Sequence, residues 1–238
     1  MNRTPFSYQV RVSPQGRNVR LRVTVKRGLE VIVPKDYDTG RVPDLLERKK
    51  NWIQVALEKA ESHRKFFEPR PIWSVPDRIS LPAIGAVWHI SARETDVPWA
   101  AVRELASDRL LVFGAISDEG ACRAALKRWL MRQTRAHLVP RLGVISQRTG
   151  IRFQRSFVRH QRTRWASCSR HRAISLNGKL LFLSPDLVDY VMIHELCHVI
   201  EMNHSKRFWD LVERHHASFR KQDIRLREMW KHVPHWAA

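Results

Sequence analysis

One stretch of the chain, VMIHELCHVIEMNHSKRFW at residues 191–209, constrains the fold more than any other. Each residue of a helix advances by about 100°, so His198 lies about 40° from His194 and both imidazoles leave one helix face. Glu195 lies at about 100°, at the border of that face. His204 can turn back toward the other histidines only if the helix ends before it. The stretch therefore predicts a helix, a turn and a second helix around one point.

The neighbouring residues predict where these helices begin and end. Residues 184–186, Ser-Pro-Asp, combine an N-cap hydroxyl, a proline at the first helical position and a carboxylate at the positive end of the dipole. The helix is therefore predicted to begin at about Pro185. Asn203 is predicted to end it, because asparagine, after glycine, best accepts the left-handed conformation at a helix end. Ser205 would cap the next helix, which is held down by three apolar side chains, Phe208, Trp209 and Val212.

Three neutral histidines are typical of a catalytic metal site, because they leave the fourth position of a tetrahedral zinc ion open for water. The ion would acidify this water and polarise a substrate carbonyl, while Glu195 takes the proton and delivers it to the leaving amine. We therefore predict that His194, His198 and His204 bind one zinc ion per chain. Glu195 is the predicted catalytic general base.

Other side chains near this helix face are alternatives to these assignments. Glu201, at about −20° from His194, is the rival third ligand. We rank it below His204, because a site of two histidines and one glutamate normally takes its glutamate from a separate helix. Cys197, at about −60°, could bind metal, but a small buried helix residue is the simpler interpretation. Arg164 and Tyr190 could stabilise an oxyanion, although packing is the simpler role for both.

Hydrophobic patterns predict secondary structure in the N-terminal part of the chain. Apolar and polar residues alternate over residues 19–25, and residues 26–28, Lys-Arg-Gly, predict a turn before a strand that ends at Val33. Apolar residues then recur at helical spacing from Val42 to Ala60. The Pro-Arg-Pro sequence at residues 69–71 breaks this helix.

The remaining elements predict a mixed fold of the α+β class. Strand-rich segments are predicted at residues 78–93 and 101–113, and single strands at 153–158, 173–177 and 180–183. Ser117 is predicted to cap a long helix, which Pro140 kinks or ends and Gly150 closes. We divide the chain into three segments: N-terminal strands plus an amphipathic helix, a β-rich segment and a catalytic domain, at residues 1–75, 76–116 and 117–238. No linker marks these boundaries, so one compact unit is the alternative.

The charge of the chain favours a polyanionic partner. Lysine and arginine number 43 against 23 aspartates and glutamates, a net charge of +20. The basic stretch RHQRTRWASCSRHR at residues 159–172, which contains Trp165, is the predicted place for contact with nucleic acid. A solvated loop is the alternative interpretation.

Cysteine usage and hydropathy predict a cytoplasmic protein. Cys122, Cys168 and Cys197 are odd in number and widely spaced, so they predict no disulfide framework and fit a reducing compartment. The N-terminal residues lack the apolar run of a signal peptide. The longest apolar stretch, around residues 110–116, is too short to span a bilayer, so no membrane span is predicted.

Four sequence motifs together resemble the YgjP-like metallopeptidases. They are RWASCS at residues 164–169, ISLN at 174–177, SPDLVDYVMIHE leading into the site, and HELCHVIEMNHSKRFW. The resemblance covers nearly the whole chain and is sharpest from Thr163 to Glu213. One departure is Ala166, where the family usually has glycine for a close backbone approach.

This resemblance implies a zincin-like metallopeptidase domain preceded by a β-rich region. It implies that His194, His198 and His204 are the zinc ligands and that Glu195 is the catalytic glutamate. It also implies that the segment between residues 164 and 177 lines the substrate cleft. The YgjP-like proteins are similar to the SprT and WLM families, which include enzymes that act on proteins associated with nucleic acid.

The leading functional prediction is therefore a zinc metallopeptidase that hydrolyses a protein or peptide substrate. The first alternative is a metal-dependent endoribonuclease, because such enzymes share the spacing H-x3-H-x5-H and would suit the positive charge. Those nucleases lack a glutamate directly after the first histidine, so Glu195 favours the peptidase. A second alternative is a nucleic-acid-binding protein with a structural zinc, which the open fourth position argues against.

Overall fold

A computed structural model of the chain describes residues 6–16, 18–24, 28–67, 73–106 and 108–238, with the backbone alone at 59 and over 61–67. The chain forms two compact units, Met1–Pro71 and Ile72–Ala238. Both contain helices and sheets, which confirms the predicted α+β class.

The first unit packs two helices against a three-stranded sheet of order β1-β3-β2. Its elements are β1 (Tyr8–Ser13), β2 (Arg20–Thr24), β3 (Gly28–Pro34), α1 (Val42–Arg48) and α2 (Lys50–Phe67), with a 3₁₀ helix at Thr39–Arg41. The core consists of buried aliphatic side chains from β3 and both helices: Leu29, Val31, Val33, Val42, Leu46 and Ile53. The predicted turn at residues 26–28 and the predicted break at 69–71 lie wholly or mostly outside the described residues.

The second unit begins with a four-stranded sheet of order β4-β5-β7-β6. Its strands are β4 (Arg78–Leu81), β5 (Ala86–Glu94), β6 (Ala100–Ala106) and β7 (Arg109–Gly114). The segment predicted to be rich in strands at residues 78–93 contains two strands, β4 and β5, with a 3₁₀ helix at Pro82–Ile84 between them. Gly85 then turns the chain with a φ of 63°, a conformation that glycine adopts without steric cost.

A long helix, α3 (Glu119–Thr149), follows this sheet. Asp118 caps it by accepting a hydrogen bond from the Ala121 N–H, so the prediction of Ser117 as the cap is wrong. Ser117 binds the Glu94 carboxylate instead. The helix continues through Pro140, because buried residues on both sides hold it against the core: Leu138, Leu142 and Ile145. Gly150 ends the helix in the left-handed conformation, as predicted.

The last third of the chain holds a small sheet and three helices. The sheet has the order β8-β10-β9, with β8 (Arg155–Arg159), β9 (Ala166–Cys168) and β10 (Ala173–Asn177). The helices are α4 (Pro185–Cys197), α5 (Lys206–His215) and α6 (Phe219–Glu228), followed by 3₁₀ helices at Met229–His232 and His235–Ala237. The strand predicted at residues 180–183 is wrong. Gly178–Phe182 is a 3₁₀ helix capped by the Asn177 side chain, and its apolar residues are buried without pairing as a strand.

The β-rich segment at residues 76–116 and the segment at 117–238 share one core in this unit. Trp88 of β5 packs edge-to-face on Trp129 of α3, with ring centroids 5.6 Å apart. The Glu104 carboxylate accepts hydrogen bonds from Trp129 Nε1 at 3.0 Å and from Gln133 Nε2 at 2.7 Å. In the described part of the chain, every helix is too short or too polar to cross a membrane.

Candidate metal centre

Helix α4 carries the first predicted ligand, His194, and its C-cap residue is the second, His198; the helix begins at Pro185, as predicted. Ser184 occupies the N-cap position, but its hydroxyl makes no capping hydrogen bond. The helix ends at Cys197, earlier than predicted. A tight turn follows it, in which the Glu201 N–H donates a hydrogen bond to the Cys197 carbonyl at 2.9 Å and so satisfies this last carbonyl of the helix. Asn203 does not adopt the left-handed conformation, so its predicted role in ending the helix is wrong.

The three predicted ligand side chains converge on one point. His194 Nε2 lies 3.2 Å from His198 Nε2 and 3.1 Å from His204 Nε2. Nitrogens bound tetrahedrally to one zinc ion at about 2.05 Å would be about 3.3 Å apart. Among the described residues, no other group of three His, Cys, Asp or Glu side chains brings its ligand atoms together in this way. The spacing fits a single ion held by three imidazoles.

Backbone contacts and burial prepare these imidazoles to bind a cation. His198 Nδ1 lies 3.0 Å from the Glu201 carbonyl oxygen, which can only accept, so Nδ1 carries the proton and Nε2 presents its lone pair. Burial, together with the nearby His198 and His204, lowers the pKa of His194 to about 3. Burial also lowers the pKa of His198. His194 and His198 are therefore neutral at pH 7, as metal ligands must be.

Glu195 lies on the side of α4 that packs against the edge strand β9, and it is only 8% exposed. This burial raises the pKa of its carboxyl group to about 7. A hydrogen bond from the Cys168 backbone and the positive charge of Arg164 act in the opposite direction. A carboxyl group with a pKa near 7 can both accept and return a proton at neutral pH.

Aromatic side chains of α5 fix the histidines in place. The ring of Phe208 stacks on His198, with centroids 4.4 Å apart, and that of Trp209 stacks on His204 at 5.5 Å. The Ser205 hydroxyl accepts a hydrogen bond from the Phe208 N–H at 3.3 Å, which confirms the predicted cap. Helix α5 thus supports His204, which lies in the turn just before it.

Tyr190 links the site to α6. Its hydroxyl donates a hydrogen bond to Asp223 Oδ1 at 3.1 Å, and its ring packs edge-to-face on His194 with centroids 6.0 Å apart. Burial and the neighbouring Asp223 raise the pKa of Tyr190, so the phenol stays protonated. The hydroxyl is therefore engaged by Asp223, which favours the packing role over oxyanion stabilisation.

Asn177 anchors the loop beside the edge strand. It is fully buried, and its side-chain amide donates to the carbonyls of Gln161 at 2.8 Å and Arg164 at 2.6 Å. Its Oδ1 accepts from the Lys179 N–H. Ala166 begins β9 and pairs with Leu176 in extended backbone, so no glycine is required there.

The two rival ligands lie outside the group of converging atoms. Glu201 contributes its backbone carbonyl to His198, and its carboxylate is not part of the group. Cys197 is fully buried, and burial raises the pKa of its thiol to about 12. Its surroundings fit the simpler interpretation, a small buried helix residue.

The predicted nucleic-acid stretch is only partly on the surface. All five of its arginines are exposed, and in the described part of the chain none forms an ion pair: Arg159, Arg162, Arg164, Arg170 and Arg172. Trp165 is only 7% exposed and stacks on Trp230, with centroids 4.1 Å apart. Trp165 therefore fills the core, and the prediction that this stretch contacts nucleic acid rests on its exposed arginines.

Sequence reasoning did not find Asn177 or Asp223 as supports of this site. Each acts through a contact between segments far apart in the chain, such as the bond from Tyr190 to Asp223. The only signal at Asn177 was its place in the ISLN motif, which indicated the family but not a role.

Comparison with known proteins identifies the family of the chain. The model of the family described as YgjP-like, metallopeptidase domain, matches residues 17–229. No curated protein matches the chain. The solved structure described as the metallopeptidase zymogen of Pyrococcus abyssi abylysin is similar, with 28% identity over 38% of this chain and 90% of that one. Its TM-score is 0.33, too low for the likeness to carry a structural argument. The family match spans most of the chain, which therefore belongs to the YgjP-like metallopeptidases, a family of metal-dependent hydrolases that act on peptides.

Proposed function

We propose that the protein is a zinc-dependent peptidase in which His194, His198 and His204 hold the metal and Glu195 is the general base. The observation that carries this proposal is the convergence of three Nε2 atoms at 3.1 and 3.2 Å, with a buried carboxyl group on the residue next to His194. Membership of a metallopeptidase family supports the same chemistry.

Zinc suits this donor set better than the other common cations of proteins. Three imidazole nitrogens without a carboxylate are unsuited to magnesium or calcium, which prefer oxygen ligands. The single cluster among the described residues corresponds to one ion per chain. When bound, zinc supplies a Lewis acid that lowers the pKa of water and polarises a carbonyl group.

The protein's own groups then move the proton. Glu195 accepts it from the attacking water and returns it to the leaving amine, a cycle that its pKa of about 7 allows at neutral pH. The Cys168 N–H and the Arg164 charge lower the pKa of this carboxyl group, so they favour the ionised form that can accept the proton.

Strand β9 is the proposed docking edge for the substrate backbone. It is one of the two edge strands of the β8-β10-β9 sheet and packs against α4, which carries Glu195. An extended peptide can add to such an edge through main-chain hydrogen bonds, which place a peptide bond beside the site without strong sequence preference.

The alternative of a metal-dependent endoribonuclease rests on the histidine spacing and the net charge of +20. A structural zinc in a nucleic-acid-binding protein is the other alternative. Family membership and the position of Glu195 favour the peptidase over both. Because the arginines at residues 162–172 are exposed, we also propose nucleic acid as an additional partner.

The predicted location remains the cytoplasm, because Cys122, Cys168 and Cys197 are free thiols.

The decisive variant is Glu195→Gln, which keeps the size of the side chain but cannot accept a proton. We expect peptide hydrolysis to fall by roughly 10² or more while about one zinc per chain stays bound. The matched control is Glu201→Gln, whose carboxylate lies outside the cluster and should leave hydrolysis nearly unchanged. Hydrolysis of casein and of a structured RNA is measured with each protein at equal zinc. RNA cleavage that survives Glu195→Gln, with no proteolysis by the wild type, would overturn the proposal.

A further inference from the structure

Helix α3 packs on one face of the four-stranded sheet β4-β5-β7-β6, and the opposite face is exposed. On the α3 side, Trp88 of β5 packs on Trp129, and Val112 of β7 is fully buried. Successive side chains of a strand point to opposite faces, so the residues next to Trp88 and Val112 point away from α3. Most side chains on that second face are polar or charged.

This second face, called the open face below, is positively charged. Its two acidic neighbours point the other way, since the Glu104 carboxylate accepts hydrogen bonds from α3 and that of Glu94 accepts one from the Ser117 hydroxyl. The four strands contribute no other Asp or Glu. Each strand places one exposed arginine on the open face, and among the described residues none of the four forms an ion pair: Arg78, Arg93, Arg103 and Arg109.

Two aromatic side chains lie among these arginines. Phe113 of β7 pairs with Arg93 of β5 on one side and with Ala101 of β6 on the other. The guanidinium carbon of Arg103 lies 5.3 Å from the centre of the Phe113 ring. Trp99, directly before β6, is 50% exposed and packs edge-to-face on Phe113 with ring centroids 5.9 Å apart. Aromatic rings and cations are therefore interleaved on one surface.

The backbone holds Trp99 in this exposed position. The Ala115 N–H donates a hydrogen bond to the Trp99 carbonyl at 2.9 Å. Gly114 has a φ of 109°, and a Cβ at this residue would overlap the Trp99 carbonyl oxygen, so glycine is required there. The fold thus fixes a large apolar ring beside the arginines while leaving half of it exposed.

We propose that the open face binds single-stranded nucleic acid, with bases stacked on Trp99 and Phe113 and phosphates held by the surrounding arginines. Every base has a flat π face that can stack on an aromatic side chain, and a guanidinium group matches the geometry of a phosphate. An acidic polypeptide would satisfy the charge of the arginines but would leave the exposed aromatic pair without flat rings to stack on.

The width of the sheet favours single strands over a duplex. The outer strands, β4 and β6, are three strand spacings apart, which is about 14 Å. The major groove of B-DNA is about 12 Å wide and admits a helix or a two-stranded ribbon. A four-stranded sheet is therefore too wide to enter it. Paired bases also keep their faces stacked inside the duplex, whereas unpaired bases can turn theirs toward aromatic side chains.

This interface differs from the arginines at residues 162–172 and does not depend on the proposed peptidase activity. Hydrolysis of casein by each variant below reports on the peptidase separately. We expect it to stay at the wild-type level, because the open face is formed by strands that carry none of the metal ligands.

The first test compares the wild-type chain with Trp99→Leu, which keeps an apolar side chain and removes the ring. Fluorescence anisotropy measures binding of a labelled single-stranded oligonucleotide, prepared as DNA and as RNA of one sequence. The affinity should fall by about tenfold, as expected for loss of one stacked base. The matched control is Trp52→Leu, since Trp52 is also 50% exposed but lies on α2 of the first unit. It should bind within about twofold of the wild type.

The second test removes charge from the open face. Arg93→Gln combined with Arg103→Gln should lower the affinity and reduce the slope of log K against log salt by about 0.7 for each arginine that binds a phosphate. Arg132→Gln combined with Arg135→Gln is the control, because both residues are exposed on α3 and the same net charge is lost. The control should keep the wild-type slope.

Four outcomes would overturn the proposal. The first is an equal effect of Trp99→Leu and Trp52→Leu, and the second is an equal effect of the two arginine pairs. The third is a duplex of the same sequence that binds more tightly than the single strand and loses as much affinity in Trp99→Leu. The fourth is displacement of the oligonucleotide by polyglutamate at equal charge, which would indicate an acidic polypeptide as the partner. Dependence on Trp99 with DNA, with RNA or with both would support the proposal, and the tighter of the two identifies the natural strand.

Discussion

At the scale of single residues, the sequence offers two candidates for the third metal ligand, His204 and Glu201, and the structure places their side chains differently. His204 directs its Nε2 to within 3.1 Å of His194 Nε2. Glu201 contributes only a backbone carbonyl, which orients His198. Removal of the two side chains should therefore have different consequences for the metal.

We predict that His204→Ala weakens zinc binding by more than about 100-fold, because loss of even an outer hydrogen-bond partner of a ligand costs roughly 10- to 100-fold. Glu201→Ala should bind zinc nearly as well as the wild type, because the backbone carbonyl that holds His198 remains. Competition with a chromophoric chelator measures both affinities at pH 7. The reverse order of losses would make Glu201 the third ligand and contradict the assignment of His204.

At the scale of elements, the turn between α4 and α5 decides whether the third histidine can reach the site. Helix α4 ends at Cys197, and α5 starts at Lys206 under the cap of Ser205. His204 lies directly before that cap, so the start of α5 fixes the backbone that carries its imidazole. We therefore expect this helix cap, normally a feature of stability, to contribute to metal binding as well.

We predict that Ser205→Ala costs about 1 kcal/mol of unfolding free energy, the usual value for loss of a capping hydroxyl. It should also weaken zinc binding, because the α5 end that carries His204 loosens. Asp118→Ala is the control, since Asp118 caps α3 through the Ala121 N–H at 3.0 Å. Urea unfolding should show similar losses for both variants, and only Ser205→Ala should bind zinc less well. Equal zinc affinity in the two variants would contradict this link.

At the scale of the whole molecule, the net charge of +20 is large enough to attract polyanions over the entire surface. The arginines at residues 162, 164, 170 and 172 are exposed and, among the described residues, unpaired. A defined interface at this stretch differs from diffuse attraction in how binding responds to salt and to the position of the charges.

We predict that duplex DNA or RNA binds with an affinity that falls steeply as salt rises, because each phosphate that the protein neutralises releases counterions. Four Arg→Gln changes at Arg162, Arg164, Arg170 and Arg172 should lower the affinity and reduce the slope of log K against log salt by about one for each arginine that binds a phosphate. The control changes four exposed arginines elsewhere: Arg132, Arg135, Arg148 and Arg152. Fluorescence anisotropy over a salt series measures the slopes, and equal losses in both sets would indicate a diffuse effect without a defined site.

The sequence by itself determined the local part of the candidate site. Helical periodicity places His194 and His198 on one face, and the start of α4 at Pro185 and the cap at Ser205 were both predicted from residue types. These features depend on neighbours in the chain, whose geometry the backbone fixes directly. The α+β class and the family could be read for the same reason, from patterns and motifs within short segments.

Only the tertiary structure decided the features that join distant segments. Three contacts each need two distant parts of the chain to meet. Trp165 is buried against Trp230, Tyr190 donates a hydrogen bond to Asp223, and the Asn177 side chain donates to the backbone of the neighbouring loop. The same holds for the strand predicted at residues 180–183: residues 178–182 form a 3₁₀ helix, because burial against the core overrides local preference. Of the two outcomes predicted for Pro140, only an end of the helix is ruled out, since α3 continues through it.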